Sequence, residues 1–252
     1  MQASPIVLTT LAGLSTGLGG VLAALAKPSE TMLAAGGVML TASLADLMPE
    51  ALEFYSSYLQ PLPCGGAIIT LLALGMLTAG LLGRLLPEET ELAAKYGQNT
   101  ARTKAMRTAL ITGTALLLHN FPEGVLTLFA GTADPALGLR TALAIALHNI
   151  PEGLAVAVPF AYATNSRAKG ALAALVSGLA EPAGALVALF LFRSLFTPGF
   201  LTGTMVLVAG IMIWVALAQL LPTAFVPAHR LPGILGAAAG CLLMLLGIAA
   251  LP

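Results

Sequence analysis

Two closely similar hexapeptides carry the residues of this chain best suited to binding a metal ion. They are His119-Asn120-Phe121-Pro122-Glu123-Gly124 and His148-Asn149-Ile150-Pro151-Glu152-Gly153, which agree at five of six positions. Each lies within a long apolar run, where imidazole, amide and carboxylate groups are costly unless something polar or charged satisfies them. A lone residue of this kind is usually a packing or kink residue, but the duplication favours a shared chemical role.

Helical spacing predicts that the polar residues of each motif share one side of a helix. His119 and Glu123 are four residues apart, as are His148 and Glu152, and each asparagine lies three residues before its glutamate. Two such helices side by side would offer imidazole, carboxylate and amide ligands together. That set suits a borderline divalent cation such as zinc, iron or manganese.

The proline of each motif predicts a kink beside these ligands. Pro122 has no N–H for the carbonyl of Leu118, and Pro151 has none for the carbonyl of Leu147. Irregular backbone at membrane depth is tolerated where it lines a cavity or is buried in protein.

Composition places these motifs in an all-α polytopic membrane protein. The 252 residues are 58% hydrophobic and only 9% charged, with a mean hydropathy of +0.94. We expect one transmembrane transport domain over residues 1–252, with the first apolar run retained as a span. The neutral net charge and the lack of a basic patch exclude nucleic-acid binding.

Apolar runs predict eight transmembrane helices, each near the roughly 20 residues that a bilayer requires. Nine of the eleven Lys and Arg residues fall on one side, so the positive-inside rule places both termini outside. Residues 85–106 form the only long connection, a cytoplasmic loop with room for a short amphipathic helix. The predicted spans are about 5–26, 32–54, 64–83, 107–130, 137–161, 169–193, 200–222 and 232–251.

Internal echoes predict an inverted-repeat arrangement of three, two and three spans. Residues 37–51 of span 2 resemble residues 210–224 of span 7, and residues 13–19 of span 1 resemble residues 178–184 of span 6. Spans 4 and 5 resemble each other through the paired motifs. Each pair is separated by an odd number of crossings, so its members run in opposite directions, and the substrate site is expected near the midplane.

Three further residues are candidates for the site. Glu181 is a carboxylate in an apolar span and is expected to join the central pair. Asp46 aligns with Gln219 and is a candidate entrance or transient ligand. Met39 is a candidate weak thioether ligand, although a Met on an apolar helix usually serves packing.

The paired motifs, on the fourth and fifth of eight spans, closely resemble the ZIP family of divalent metal transporters, in particular its bacterial ZupT-like and GufA-like branch. The resemblance covers nearly the whole chain, including residues 37–51 and 177–185. It implies a multi-pass protein of the bacterial inner membrane that imports zinc, with iron, manganese and cadmium as other cargo. It implies no prosthetic cofactor, and homodimers as a candidate assembly.

Residue by residue, the resemblance implies a two-metal site. The first metal would take His119, Glu123, His148 and Glu152, with Met39 as an added candidate. The second would take Asn120, Asn149 and Glu181 and share Glu123 and Glu152 as bridges. Two departures from the family pattern stand out, namely Gln219 in place of a span-7 carboxylate and an inner loop without histidine.

Two other functions would use the same residues. A metal held at the midplane could activate water in an intramembrane hydrolase, but the HExxH arrangement is missing because Asn follows each His. A proton or small-cation channel could use the same carboxylates. For a transporter, we expect alternating access, with metal binding weakened by acid.

Overall fold

The computed structural model describes residues 4–23, 28–96, 99–190, 197–222 and 230–250, and these residues form helices and short turns without any strand. Two stretches are π-helical, and we name them the first and second π segments. The elements in chain order are α1 Pro5–Leu22, α2 Pro28–Thr41, the first π segment Ala42–Leu47, α3 Met48–Ser56, α4 Pro61–Leu85, α5 Glu89–Tyr96, α6 Thr100–Ala133, α7 Pro135–Thr164, α8 Arg167–Gly178, α9 Ala180–Phe190, α10 Pro198–Val215, the second π segment Ala216–Leu220 and α11 Arg230–Ala250.

These elements confirm an all-α polytopic membrane protein. Span 2 consists of α2, the first π segment and α3, span 6 of α8 and α9, and span 7 of α10 and the second π segment. Helix α6 has 34 residues, about 50 Å at 1.5 Å per residue, and carries the first motif. Five ranges are long and apolar enough to cross a bilayer, and Ile234–Ala250 is a shorter apolar helix. The five are Pro5–Leu22, Pro61–Ala94, Pro135–Thr164, Arg167–Phe190 and Pro198–Leu220.

The connection predicted over residues 85–106 is shorter than expected. Helix α5 supplies the short amphipathic helix, and α6 already begins at Thr100. The Asn99 side chain accepts a hydrogen bond from the backbone N–H of Arg102 at 3.2 Å, which caps α6 at that point. Residues 100–106, the first two turns of α6, contain two charged residues, and for that reason the sequence pattern predicted a loop there.

Span 6 is divided where one continuous helix was predicted. The kinks predicted at the two motif prolines stay a prediction. Helices α6 and α7 run through Pro122 and Pro151 as single helices, while span 6 is interrupted at Leu179. A proline removes one backbone hydrogen bond, and packing on either side can hold the rest of the helix. Residues 24–26, 191–193 and 251 of the predicted spans lie outside the described residues.

The placement of both termini outside stays a prediction. Two of the residues used for it, Lys27 and Arg193, lie outside the described part of the chain, as do the side chains of Lys95 and Arg230.

The packing repeats itself between the first three spans and the last three. At several helix crossings a glycine lies so close to a carbonyl of the neighbouring helix that a Cβ would collide with it. Four such contacts are Gly37 with the carbonyl of Ala237, Gly210 with that of Leu72, Gly240 with that of Ala34, and Gly75 with that of Leu207. In the repeat, Gly37 in span 2 corresponds to Gly210 in span 7, and their two contacts are equivalent. Gly75 in span 3 corresponds in the same way to Gly240 in span 8. The expected inverted repeat is therefore present in the packing, and the two π segments occupy equivalent places in it.

The central pair of helices is joined by a tight turn. Asp134 ends α6, and its side chain accepts hydrogen bonds from the backbone N–H groups of Ala136 at 2.6 Å and Leu137 at 3.0 Å. This cap starts α7 immediately. Helices α6 and α7 pack against each other, with α1 against α7 and α9 against α6. The two motifs therefore face each other inside the bundle.

Candidate metal site

The six polar residues of the two motifs are buried side by side near the middle of α6 and α7. Each of these residues is at most 5% exposed. The glycine that closes each motif permits this depth, because a Cβ on Gly124 would collide with the Glu181 carbonyl and one on Gly153 with the Thr16 carbonyl. Helices α9 and α1 thus lie directly against the motifs. The residues concerned are His119, Asn120, Glu123, His148, Asn149 and Glu152.

One carboxylate lies between the two imidazoles. Glu123 Oε1 is 3.0 Å from His119 Nε2 and 2.8 Å from His148 Nε2. Glu152 Oε1 is 3.3 Å from His119 Nε2. One donor atom each from His119, His148 and Glu152 fits within 4.8 Å. Since zinc lies about 2.0–2.2 Å from nitrogen and oxygen ligands, small side-chain rotations would bring these donors around one cation.

Several acceptor atoms in this cluster have no hydrogen-bond partner among the described residues. They include the second carboxylate oxygens of Glu123 and Glu152 and the side-chain oxygens of Asn120 and Asn149. Buried carboxylates are costly without a counter-charge or hydrogen bonds. A divalent cation would supply the missing charge, so the donor set fits a metal.

Glu181 joins the cluster through Asn149. Asn149 Nδ2 donates a hydrogen bond to Glu181 Oε1 and a second one, of 3.0 Å, to the carbonyl of Ala12. Asn120 Nδ2 donates to the carbonyl of Ser177 at 3.2 Å. With their nitrogens engaged in this way, both asparagines keep the amide oxygen available as a ligand.

The interruption of span 6 explains how a carboxylate reaches this position. Because α8 ends at Gly178 and α9 begins at Ala180, Glu181 lies in the first turn of a helix, where negative charge is stabilised. Pro182 is tolerated at this early position because its missing N–H would have no partner within α9. Glu181 is fully buried.

The structure gives Met39 and Asp46 different surroundings. Met39 is fully buried in an apolar cluster that includes Leu116 and Met212, and its role as a ligand stays a prediction. Asp46 lies in the first π segment, within electrostatic range of His148 and Glu123. That placement is compatible with an entrance ligand, which also stays a prediction.

The π segments themselves were not predicted. A signal for them exists, since Pro49 and Pro222 follow the two segments and lack the N–H that the carbonyls of Ala45 and Ala218 would accept in an α-helix. Such irregular turns occur frequently at functional sites. Gln219 occupies in the second π segment the place that Asp46 has in the first.

Thr16 is a further residue that the sequence interpretation did not single out. It is fully buried, and its hydroxyl has no hydrogen-bond partner in the described structure. The alignment of residues 13–19 with 178–184 pairs Thr16 with Glu181, and it could have drawn attention to this position.

Comparison with known proteins agrees with this geometry. The family model described as "ZIP Zinc transporter" matches residues 86–248. The chain is 39% identical over 249 residues to the zinc transporter ZupT of Corynebacterium efficiens, covering 94% of this chain and 93% of that protein. It is 40% identical over 233 residues to ZupT of Chlorobium chlorochromatii, covering 86% of each chain. For ZupT of Akkermansia muciniphila, the identity is 38% over 253 residues and the coverage 94% of each. The chain belongs to the ZIP zinc transporter family.

Proposed function

We propose that this protein carries zinc, or a related divalent cation, across the bacterial cell membrane into the cytoplasm through the site between α6 and α7. The observation that carries the proposal is the position of Glu123, which contacts both His119 and His148 deep inside an apolar bundle. Ionisable groups at this depth mark ion pathways. The ZupT relatives are named as zinc transporters.

The donor set supports two neighbouring ions. His119, His148, Glu123 and Glu152 would hold the first, with Met39 as an added ligand, and Asn120, Asn149 and Glu181 would hold the second, with the two motif glutamates as bridges. Three ionised glutamates carry more negative charge than one divalent ion neutralises and less than two ions supply. Proton uptake or release would therefore accompany metal occupancy.

The matched contacts of the two halves support alternating access. In transporters built from inverted repeats, one group of helices moves against the other around a site at the midplane. Inward transport is proposed because the paired motifs resemble those of the ZIP family, whose members import divalent metals. Homodimers are proposed as the assembly on the family resemblance alone, and light scattering of the purified protein would test them.

The alternatives differ in what they require. The chain belongs to a family of transporters, and this excludes the interpretation as an intramembrane hydrolase. The protein is a transporter rather than an enzyme. A proton or small-cation channel would not show zinc flux that saturates at low metal concentration. Zinc flux that stays linear over that range would favour the channel.

The test is zinc uptake into proteoliposomes with an entrapped zinc-sensitive dye. The double variant Glu123→Gln, Glu152→Gln keeps side-chain volume and removes two charges. We expect uptake to fall by about 100-fold or more. Removing a residue that only hydrogen-bonds to a metal ligand already costs about 10- to 100-fold in metal affinity or activity. The control is Glu53→Gln, an exposed carboxylate on α3, which should leave uptake unchanged. Full uptake by the double variant would remove this site from the mechanism.

A further inference from the structure

A cavity of about 460 Å³ lies between α6, α7 and α8, apart from the metal ligands. Its walls are almost entirely apolar, so it cannot serve as a path for a hydrated or bare divalent ion. The side chains that form most of the wall are Leu110, Leu117, Val156, Phe160, Leu172 and Val176.

The cavity opens toward the outer surface of the bundle between α6 and α8. Its rim residues Leu117, Leu172 and Val176 are 38%, 59% and 50% exposed. Along α8 it extends from Lys169 to Ser177, a rise of about 12 Å at 1.5 Å per residue. At this position in a membrane protein the opening faces lipid.

One end of the cavity carries a positive charge. Lys169 lines it in the first turns of α8, and the side chain is exposed. The ion pairs in the described part of the chain lie at the central histidines, and Lys169 takes part in none of them. A lysine of this kind places its stem on apolar surface and its ammonium at the level of the headgroups. In the predicted orientation, this end faces the cytoplasmic leaflet, where anionic lipids are concentrated.

The volume fits one hydrocarbon chain. A methylene group is comparable in size to a water molecule, whose share of liquid volume is about 30 Å³, so the cavity would hold on the order of fifteen methylenes. We propose that the cavity binds one acyl chain of an anionic phospholipid, with the phosphate at Lys169. This site is distinct from the metal site and does not depend on the proposed transport.

The inner end of the cavity touches the support of a metal-site residue. Ser177 lines the cavity, and its carbonyl accepts the hydrogen bond from Asn120 Nδ2. A bound chain would therefore end beside the residue that holds the Asn120 side chain.

The experiment measures lipid binding by native mass spectrometry, with dioleoyl phosphatidylglycerol and dioleoyl phosphatidylcholine as the probes. Wild-type protein should retain phosphatidylglycerol about fivefold more strongly, the scale of one lysine near an anionic surface. Lys169→Gln should abolish that preference and leave phosphatidylcholine binding unchanged. The matched control is Arg167→Gln, an exposed cation on the same helix outside the cavity wall, which should keep the preference.

A second variant fills the cavity without touching the charge. A Cβ on Gly113 would meet only Val156 Cγ1, at an ordinary contact distance of 3.6 Å, so Gly113→Leu can point into the cavity without displacing backbone. It should reduce retention of both lipids, whereas Gly65→Leu, at an open position on α4, should reduce neither. Equal retention of the two lipids by wild-type protein would overturn the proposal. Undiminished phosphatidylglycerol binding by Lys169→Gln or by Gly113→Leu would also overturn it.

Discussion

The side-chain amide of Asn149 donates a hydrogen bond to the carboxylate of Glu181, which joins α7 to α9 in the centre of the bundle. The same nitrogen donates to the carbonyl of Ala12 in α1. One side chain therefore connects three helices, and it leaves its amide oxygen free for a cation. Its counterpart Asn120 donates one hydrogen bond, to the carbonyl of Ser177 in α8.

This asymmetry predicts different costs for two equivalent substitutions. Asn149→Ala leaves both a buried Glu181 oxygen and the carbonyl of Ala12 without their donor, which should lower stability by about 1–3 kcal/mol. Asn120→Ala removes a bond to a neutral carbonyl and should cost about 1 kcal/mol. Thermal unfolding of the metal-free proteins in detergent measures the difference. Equal losses would show that Glu181 is satisfied by another group.

The paired motifs could be interpreted from the sequence because their geometry is local. Helical periodicity alone brings His119 and Glu123 to one side, and the duplication indicates that the second helix does the same. The break at Leu179 and the two π segments depend on how neighbouring helices pack, which periodicity does not contain. For the same reason, Glu181 was expected at the site, while its bond to Asn149 was not.

The glycines at the ends of the motifs predict a second result. Gly124→Ala and Gly153→Ala would each drive a methyl group into a backbone carbonyl, of Glu181 and Thr16 respectively. Because backbone cannot rotate away, α9 or α1 must shift, at a cost of about 1–3 kcal/mol. Metal affinity should fall together with the melting temperature.

A control for these variants is Gly65→Ala. A Cβ at Gly65 meets nothing within 4 Å, so this substitution should be neutral or stabilising by about 0.5–1 kcal/mol through helix propensity. If Gly124→Ala and Gly153→Ala behave like Gly65→Ala, the helices do not approach each other as closely as described.

A third prediction concerns acid. Histidine binds metal as neutral imidazole and glutamate as carboxylate, so protons compete with the cation for the donors of the site. Zinc affinity and uptake should decrease as the pH is lowered, and zinc binding should release protons. Calorimetric titration in two buffers with different ionisation enthalpies measures that release. Binding enthalpies that do not differ between the buffers would contradict the prediction.

The last prediction concerns Thr16, which corresponds by the inverted repeat to Glu181. Its hydroxyl is buried without a partner, and an unsatisfied buried polar group costs about 1–3 kcal/mol. Thr16→Val replaces that hydroxyl with a methyl group of similar size, so the metal-free protein should become more stable. We expect metal binding to become weaker at the same time, because the repeat pairs the Thr16 hydroxyl with the carboxylate of Glu181 at the site.

Thr9 provides the matched control on the same helix. It is equally buried, but its hydroxyl donates to the carbonyl of Pro5 at 3.0 Å, so Thr9→Val should lower stability by about 1 kcal/mol and leave metal binding unchanged. The two substitutions thus have opposite expected signs in thermal unfolding of the metal-free protein. A gain in stability at Thr16 without any loss of zinc affinity would mean that its hydroxyl is a packing defect and takes no part in holding the ion.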